Sequence, residues 1–151
     1  MSTAGPAPDA VEDVILASSA TIAVIGLSAD PGRDSHRVAA YMQQHGYRIV
    51  PVNPREPGPI LGEMVYPSLT AVPDSIEVDL VNVFRRSAQT DSAIDAAIER
   101  GVAAVWLQLG ITNEAGLARA AERGLLAVQD RCLMVEHRRW QAGESGDAAG
   151  R

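Results

Sequence analysis

The sequence contains no lysine, so its basic residues, 13 in all, are all arginine. Without an ε-amino group the chain cannot supply the lysine of a P-loop or form a Schiff base, which excludes P-loop NTPase and pyridoxal phosphate chemistry. Arginine still binds phosphates through its planar set of N–H donors. A phosphate-binding function therefore stays open if arginine carries it.

Cysteine occurs once, at Cys132, so no internal disulfide can form. Because no signal peptide is visible either, we expect a reducing, cytoplasmic setting. No apolar run approaches the roughly 18 residues of a membrane span, and a net charge of −6 argues against a general nucleic-acid binder. We therefore expect neither membrane nor nucleic acid as a partner. A length of 151 residues is typical of one domain.

The segment 21–25 (TIAVI) is a short apolar run that ends at Gly26, which is typical of a buried parallel strand. A polar loop follows, then a segment with helical periodicity for which Ser35 is the predicted N-cap. Strand, glycine and helix in this order are typical of a nucleotide-binding unit, because backbone N–H groups and the helix dipole favour a phosphate there. A tight turn without a ligand fits the same pattern.

Further strands are predicted at 47–52, 78–84, 102–109 and 125–128, with helices between most of them and an irregular, proline-rich segment over 55–75. This alternation predicts an α/β fold with a Rossmann-like, doubly wound parallel sheet of five strands in the order 3-2-1-4-5. The domain is predicted to span residues 9–140, with a flexible N-terminus over 1–8 and a flexible tail over 141–151.

A doubly wound sheet binds ligands where its winding reverses, which the predicted order places beyond the first and fourth strands. The strand ends bring together Gly26, Leu27, Ser28, Val52, Asn53, Pro54, Phe84, Arg85, Arg86, Gln108 and Gly110. Five arginines near these ends suit a ligand with several phosphates, although each alone is typical of a solvated surface: Arg33, Arg37, Arg55, Arg85 and Arg86. The dinucleotide fingerprint is incomplete, because Gly26 lacks the second and third glycines and Asn53 stands where an acid would bind ribose.

Six segments resemble the small CoA-binding proteins whose single domain is similar to the N-terminal domain of the succinyl-CoA synthetase α subunit. They lie between about residues 12 and 140: AVIGLS (23–28), RDSHRVAAYMQQHGYRIVPVNP (33–54), ILGEMVYPSL (60–69), DLVNVFRRS (79–87), AVWLQLGITNEA (104–115) and DRCLMVEH (130–137). The resemblance implies coenzyme A or an acyl-CoA as the ligand.

The same resemblance implies a role for each matching turn. It assigns CoA phosphates to Gly26, Leu27, Ser28, Arg33 and Ser35, the nucleotide part to Val52, Asn53 and Pro54, and the pantetheine arm to Phe84, Arg85 and Arg86. The synthetase carries its phosphorylated histidine in a second domain that is not present in this sequence. We therefore assign no phosphohistidine role to His137.

The function that we expect is a non-catalytic carrier, sensor or partner subunit that binds CoA or an acyl-CoA, with no catalytic residue and no metal site assigned. Two alternatives stay open: a nicotinamide-dependent oxidoreductase or small acyl-CoA enzyme, and a ligand-regulated interaction module. The sequence identifies no protein partner and leaves a homo-oligomer open. Cys132 reads first as a small buried residue, and a mixed disulfide with the CoA thiol is a sharper hypothesis.

Overall fold

The computed structural model describes residues 10–143, which form five strands, five helices and one 3₁₀ turn. The helices are α1 (Val11–Ser18), α2 (Asp34–Gln44), α3 (Asp91–Arg100), α4 (Glu114–Glu122) and α5 (Leu133–Gln141). The strands are β1 (Thr21–Ile25), β2 (Arg48–Val52), β3 (Leu80–Val83), β4 (Ala104–Leu107) and β5 (Leu126–Val128), and the 3₁₀ turn is Ser87–Gln89.

The five strands form one parallel sheet in the order β2-β1-β3-β4-β5. In its centre Ala23 pairs with Val50 on one side and with Val81 on the other. Because all pairs are parallel, every strand presents its carboxyl end at the same edge. The predicted class, a Rossmann-like doubly wound sheet of five strands, is confirmed.

The position of β3 differs from the predicted order 3-2-1-4-5. The sequence analysis placed the third strand outside β2, whereas β3 lies between β1 and β4. The irregular segment between β2 and β3 crosses β1, and its Leu69 and Val72 are buried in the same apolar cluster as Ala23 of β1. The winding therefore reverses between β1 and β3, not between the first and fourth strands.

Two apolar clusters cover the two faces of the sheet. One joins β1 and β3 to α1, α2 and α5, and Trp106 of β4 is completely buried in it. The other joins the sheet to α3, α4 and the irregular segment. Since every strand is covered on both faces, the polar groups at the strand ends are the natural place for a ligand.

The helices α2, α3 and α4 begin after different types of N-cap residue. Thr90 and Asn113 are the N-caps of α3 and α4, and the Asn113 side chain accepts a hydrogen bond from Gly116 N at 2.9 Å. The prediction for Ser35 is wrong, because α2 begins at Asp34 and Arg33 is its N-cap. The Ser35 hydroxyl instead accepts a hydrogen bond from Ser28 N at 3.0 Å, which ties the loop to the helix.

The two predicted flexible segments lie at the ends of the chain, where the described residues, 10–143, stop. The predicted flexible N-terminus, 1–8, and most of the predicted tail, 144–151, lie outside the described residues, while α5 includes the first residue of that tail, Gln141. Between residues 10 and 143, no helix has the length and apolar character that crossing a membrane requires.

Candidate ligand-binding site

The turn after β1 is built on a close approach of two strand ends. Gly26 has φ +89°, and a Cβ placed on it would lie 2.4 Å from the carbonyl oxygen of Phe84, just after β3. A side chain at this position would meet backbone in a conformation that L residues rarely adopt. Glycine is therefore required where the chain leaves β1 beside the end of β3, which is also the point where the winding of the sheet reverses.

A polar cavity of about 460 Å³ opens beside this turn. It is lined by Gly26, Ser28, Arg33, Asp34, Ser35, Asn53, Arg55, Glu56, Phe84 and Arg85. The N-terminus of α2 borders it, and this helix has no side-chain cap. The first N–H groups of a helix lack acceptors within the helix and carry the positive end of its dipole, which favours an anion at this position.

An apolar cavity of about 510 Å³ adjoins the polar cavity. It is lined by Asp34, Arg37, Val38, Phe84, Arg85, Arg86, Gln108, Leu109, Ile111, Cys132, Met134 and Val135. Asp34, Phe84 and Arg85 line both cavities, so the two form one continuous crevice along the carboxyl edge of the sheet. Two of the residues that line the apolar cavity, Leu109 and Val135, are 65% and 39% exposed.

The crevice is positively charged although the chain carries a net charge of −6. Its lining includes five arginines, Arg33, Arg37, Arg55, Arg85 and Arg86, against the carboxylates of Asp34 and Glu56, which leaves a local charge of +3. Only Arg37 among the five has an ion pair within the described residues, with Asp34. The other four guanidinium groups are therefore available to bind a ligand with several phosphates.

Gln108 presents an oriented donor to the apolar cavity. Only 6% of this residue is exposed, and its Oε1 accepts hydrogen bonds from Leu133 N at 3.2 Å and Asn82 Nδ2 at 3.4 Å. Because the N–H of Leu133 requires an acceptor, the oxygen must face it and the Nε2 group points away. Nε2 has no hydrogen-bond partner among residues 10–143, so it can donate to a ligand.

The remaining predicted site residues divide into two groups. Val52 and Pro54 lie in a side hollow of about 260 Å³ that shares Arg85 with both cavities, so they adjoin the crevice without lining its main part. Leu27 is completely buried and Gly110 donates a hydrogen bond to Asp130 Oδ1 at 2.7 Å; neither lines the polar or the apolar cavity. The ligand contacts of every site residue stay a prediction.

Several residues of the crevice were missing from the predicted site. Helix α5 supplies Met134 and Val135, and the turn after β4 supplies Leu109 and Ile111. The signal available was the position of α5, since a helix that follows a parallel strand starts at the edge where the ligand binds. Cys132, at the N-cap of α5, is partly exposed in the apolar cavity, so the reading as a plain core residue is incomplete.

The histidines lie apart from the two cavities. His137 is completely buried, and its Nδ1 lies 2.9 Å from the hydroxyl of Tyr41. Burial lowers the pKa of His137, and the neighbouring His45 lowers it further, which favours the neutral ring. Between residues 10 and 143, no group of three or more His, Cys, Asp or Glu side chains could hold a metal ion.

Comparison with known proteins adds a family match to this geometry. A family model described as a CoA binding domain matches residues 20–138. The chain is 40% identical over 123 residues to the uncharacterized protein YneT of Bacillus subtilis, covering 82% of this chain and 89% of YneT.

Two solved structures extend the likeness to the whole fold. Prb, the PH1109 protein redesigned for binding, shares 33% identity and a TM-score of 0.83, with 91% of this chain and 95% of Prb covered. A protein of Thermus thermophilus shares 37% identity and a TM-score of 0.78, with 83% of this chain and 93% of that protein covered.

Proposed function

This chain belongs to the CoA-binding domain family, and on that premise we propose that it binds coenzyme A or an acyl-CoA in the crevice at the carboxyl ends of the strands. The observation that carries the proposal is the crevice itself, in which a positively charged polar cavity continues into an apolar one. CoA has the same division, since its phosphates lie at one end of the molecule and its pantetheine arm extends from them.

The phosphates of CoA fit the polar cavity. Arg33, Arg55 and Arg85 line it without ion-pair partners among the described residues, and the uncapped start of α2 faces the same space. Charge-assisted hydrogen bonds from arginine to phosphate are among the strongest in proteins, and a helix N-terminus adds N–H donors. The cavity therefore supplies the donors that a molecule with several phosphates needs.

The two other parts of the ligand extend from this point. The nucleotide part is directed to the side hollow with Val52 and Pro54, and the pantetheine arm passes Phe84 and Arg86 into the apolar cavity. Arg85 lines all three spaces, so it lies where the parts of the ligand meet. Within the proposal, Arg85 is the central contact.

The nicotinamide alternative is disfavoured by the bonding of Asn53. Its Nδ2 donates to Leu27 O and its Oδ1 accepts from Arg55 N, both at 2.9 Å. Both ends of the amide are occupied by the loop, and the position lacks the carboxylate that binds the ribose hydroxyl of NAD. A non-catalytic carrier, sensor or partner subunit in the cytoplasm is the role that we propose.

Thermal unfolding with a panel of nucleotides tests the proposal. We expect CoA and acetyl-CoA, at about 100 times their dissociation constants, to stabilise the native state by roughly 2.7 kcal/mol. For a domain of this size the melting temperature then rises by roughly 5 to 11 °C. A rise with NAD or NADP alone contradicts CoA binding and supports the oxidoreductase.

Alkylation of Cys132 provides a test at the level of a single residue. The chain has one cysteine and its side chain lines the apolar cavity, so bound acetyl-CoA is expected to shield it. At ~100 times the dissociation constant, about one molecule in a hundred is free, and the alkylation rate falls by up to about a hundredfold. Intact-mass kinetics with iodoacetamide measure the rate.

Acetyl-CoA is used in this experiment because it has no free thiol that would consume the reagent. NAD at the same concentration is the control, and it should leave the rate unchanged. An unchanged rate under conditions where acetyl-CoA raises the melting temperature would show that the ligand does not reach the start of α5.

A further inference from the structure

We propose that the far part of the apolar cavity binds the acyl chain of a CoA thioester, so that acyl-CoAs with chains longer than acetyl bind more tightly than free CoA. This inference rests on the proposed CoA-binding function and names the form of the ligand. It concerns the wall of the apolar cavity formed by Leu109, Ile111, Met134 and Val135, which we call its far part and none of which lines the polar cavity.

The first observation is the exposure of apolar side chains around one cavity. The described part of the chain has four exposed large hydrophobic residues, and two of them line this cavity: Leu109, in the turn after β4, and Val135 of α5. Ile111 and Met134, which are partly buried, line the same space. When an apolar ligand covers apolar side chains at a concave surface, the removal of these side chains from water favours binding.

The second observation is a neutral hydrogen-bond donor, Gln108, in the lining of the same cavity. Gln108 Nε2 has no partner among the described residues, while its Oε1 is held by Leu133 N. An amide donor that lines a cavity without a protein partner gains a hydrogen bond when a carbonyl oxygen reaches it. The thioester and the pantetheine arm both carry such carbonyls, and Gln108 lines the apolar cavity but not the polar one.

The distribution of charged residues in the lining favours one type of acyl group. Asp34, Arg37, Arg85 and Arg86 also line the cavity, whereas the four residues of its far part, Leu109, Ile111, Met134 and Val135, are all apolar. A dicarboxylic acyl group such as succinyl would bury a carboxylate there without a partner, which is unfavourable. The cavity therefore suits a purely apolar acyl chain.

Calorimetric titration with free CoA and with acetyl-, butyryl-, hexanoyl- and succinyl-CoA tests the inference. A buried methylene strengthens binding by about three- to fourfold, so hexanoyl-CoA is expected to bind at least about tenfold more tightly than acetyl-CoA. Succinyl-CoA is expected to bind more weakly than butyryl-CoA, which has the same chain length. Equal affinities for all five ligands would overturn the inference and leave CoA binding intact, whereas no binding of any ligand would overturn both.

Two variants locate the effect. Leu109→Ser removes an apolar wall of the cavity and is expected to reduce the gain from acetyl- to hexanoyl-CoA by about threefold or more. Met64→Ser is the matched control, since Met64 is 67% exposed against 65% for Leu109 and lies outside both cavities. The control should keep the full gain with chain length. If Leu109→Ser also keeps the full gain, the acyl chain does not bind where we place it.

Discussion

Replacing Gly26 by alanine is expected to lower the free energy of unfolding by about 3 kcal/mol or more. The new Cβ would lie 2.4 Å from the carbonyl oxygen of Phe84, and the backbone at Gly26 has φ +89°. The atom that it meets belongs to the backbone at the end of β3, which is paired on both sides, so no side-chain rotation can relieve the contact. Urea denaturation of the ligand-free protein measures the loss.

Gly46 offers a matched control for this substitution. It has a similar φ of +96°, but a Cβ placed on it would have no atom within 4 Å. Gly46→Ala should therefore cost only the backbone conformation, about 1–2 kcal/mol. If both variants lose the same free energy, the close approach of β1 to β3 is not what requires glycine at position 26.

The class of the fold could be predicted because its elements are locally encoded. Short apolar runs such as 21–25 and 78–84 are long enough for buried strands, and glycine ends the first of them. Gly101, with φ +77°, follows α3, and a glycine at this position is a local signal for the end of a helix. These signals depend only on residues that are neighbours in sequence. They can therefore be identified without knowledge of the tertiary contacts.

The order of the strands depends on contacts distant in sequence, yet one residue pointed to it. Pro51 lies within β2, and proline lacks the N–H that a central strand donates. The observed sheet has β2 at its edge, whereas the predicted order would have placed it between two strands. Pro51 therefore indicates an edge strand, whereas the predicted order follows the usual winding pattern of such sheets.

The candidate site was predictable where strands end and not where helices begin. Turns after β1 and β3 supply Gly26, Phe84 and Arg85, which sequence position alone assigns to the carboxyl edge. Met134 and Val135 line the crevice because α5 packs on the same face of the sheet as α1 and α2. The sequence indicates that α5 starts at this edge, but not which of its side chains line the cavity. Contributions of this kind require the packed structure.

Removing the guanidinium group in Arg85→Ala is expected to weaken CoA binding by roughly ten- to a hundredfold, because a hydrogen bond to a charged group contributes about 1.5–3 kcal/mol. Arg85 lines the polar cavity, the apolar cavity and the side hollow. Its side chain has no hydrogen bond or ion pair within residues 10–143, so the substitution should change the stability of the ligand-free protein little. Calorimetric titration with CoA, paired with urea denaturation, separates the two effects.

Arg123→Ala is the control for the change in net charge. Arg123 is exposed, follows α4 and lines neither cavity, so its loss removes one positive charge away from the crevice. If long-range attraction alone held the ligand, both variants would weaken binding about equally, and both losses would shrink as salt screens exposed charges. A direct contact predicts that only Arg85→Ala has a large effect and that most of this effect persists at about 0.5 M salt, because charges in contact with a partly buried ligand are screened less. Equal small losses for the two variants would contradict the central position that we assign to Arg85.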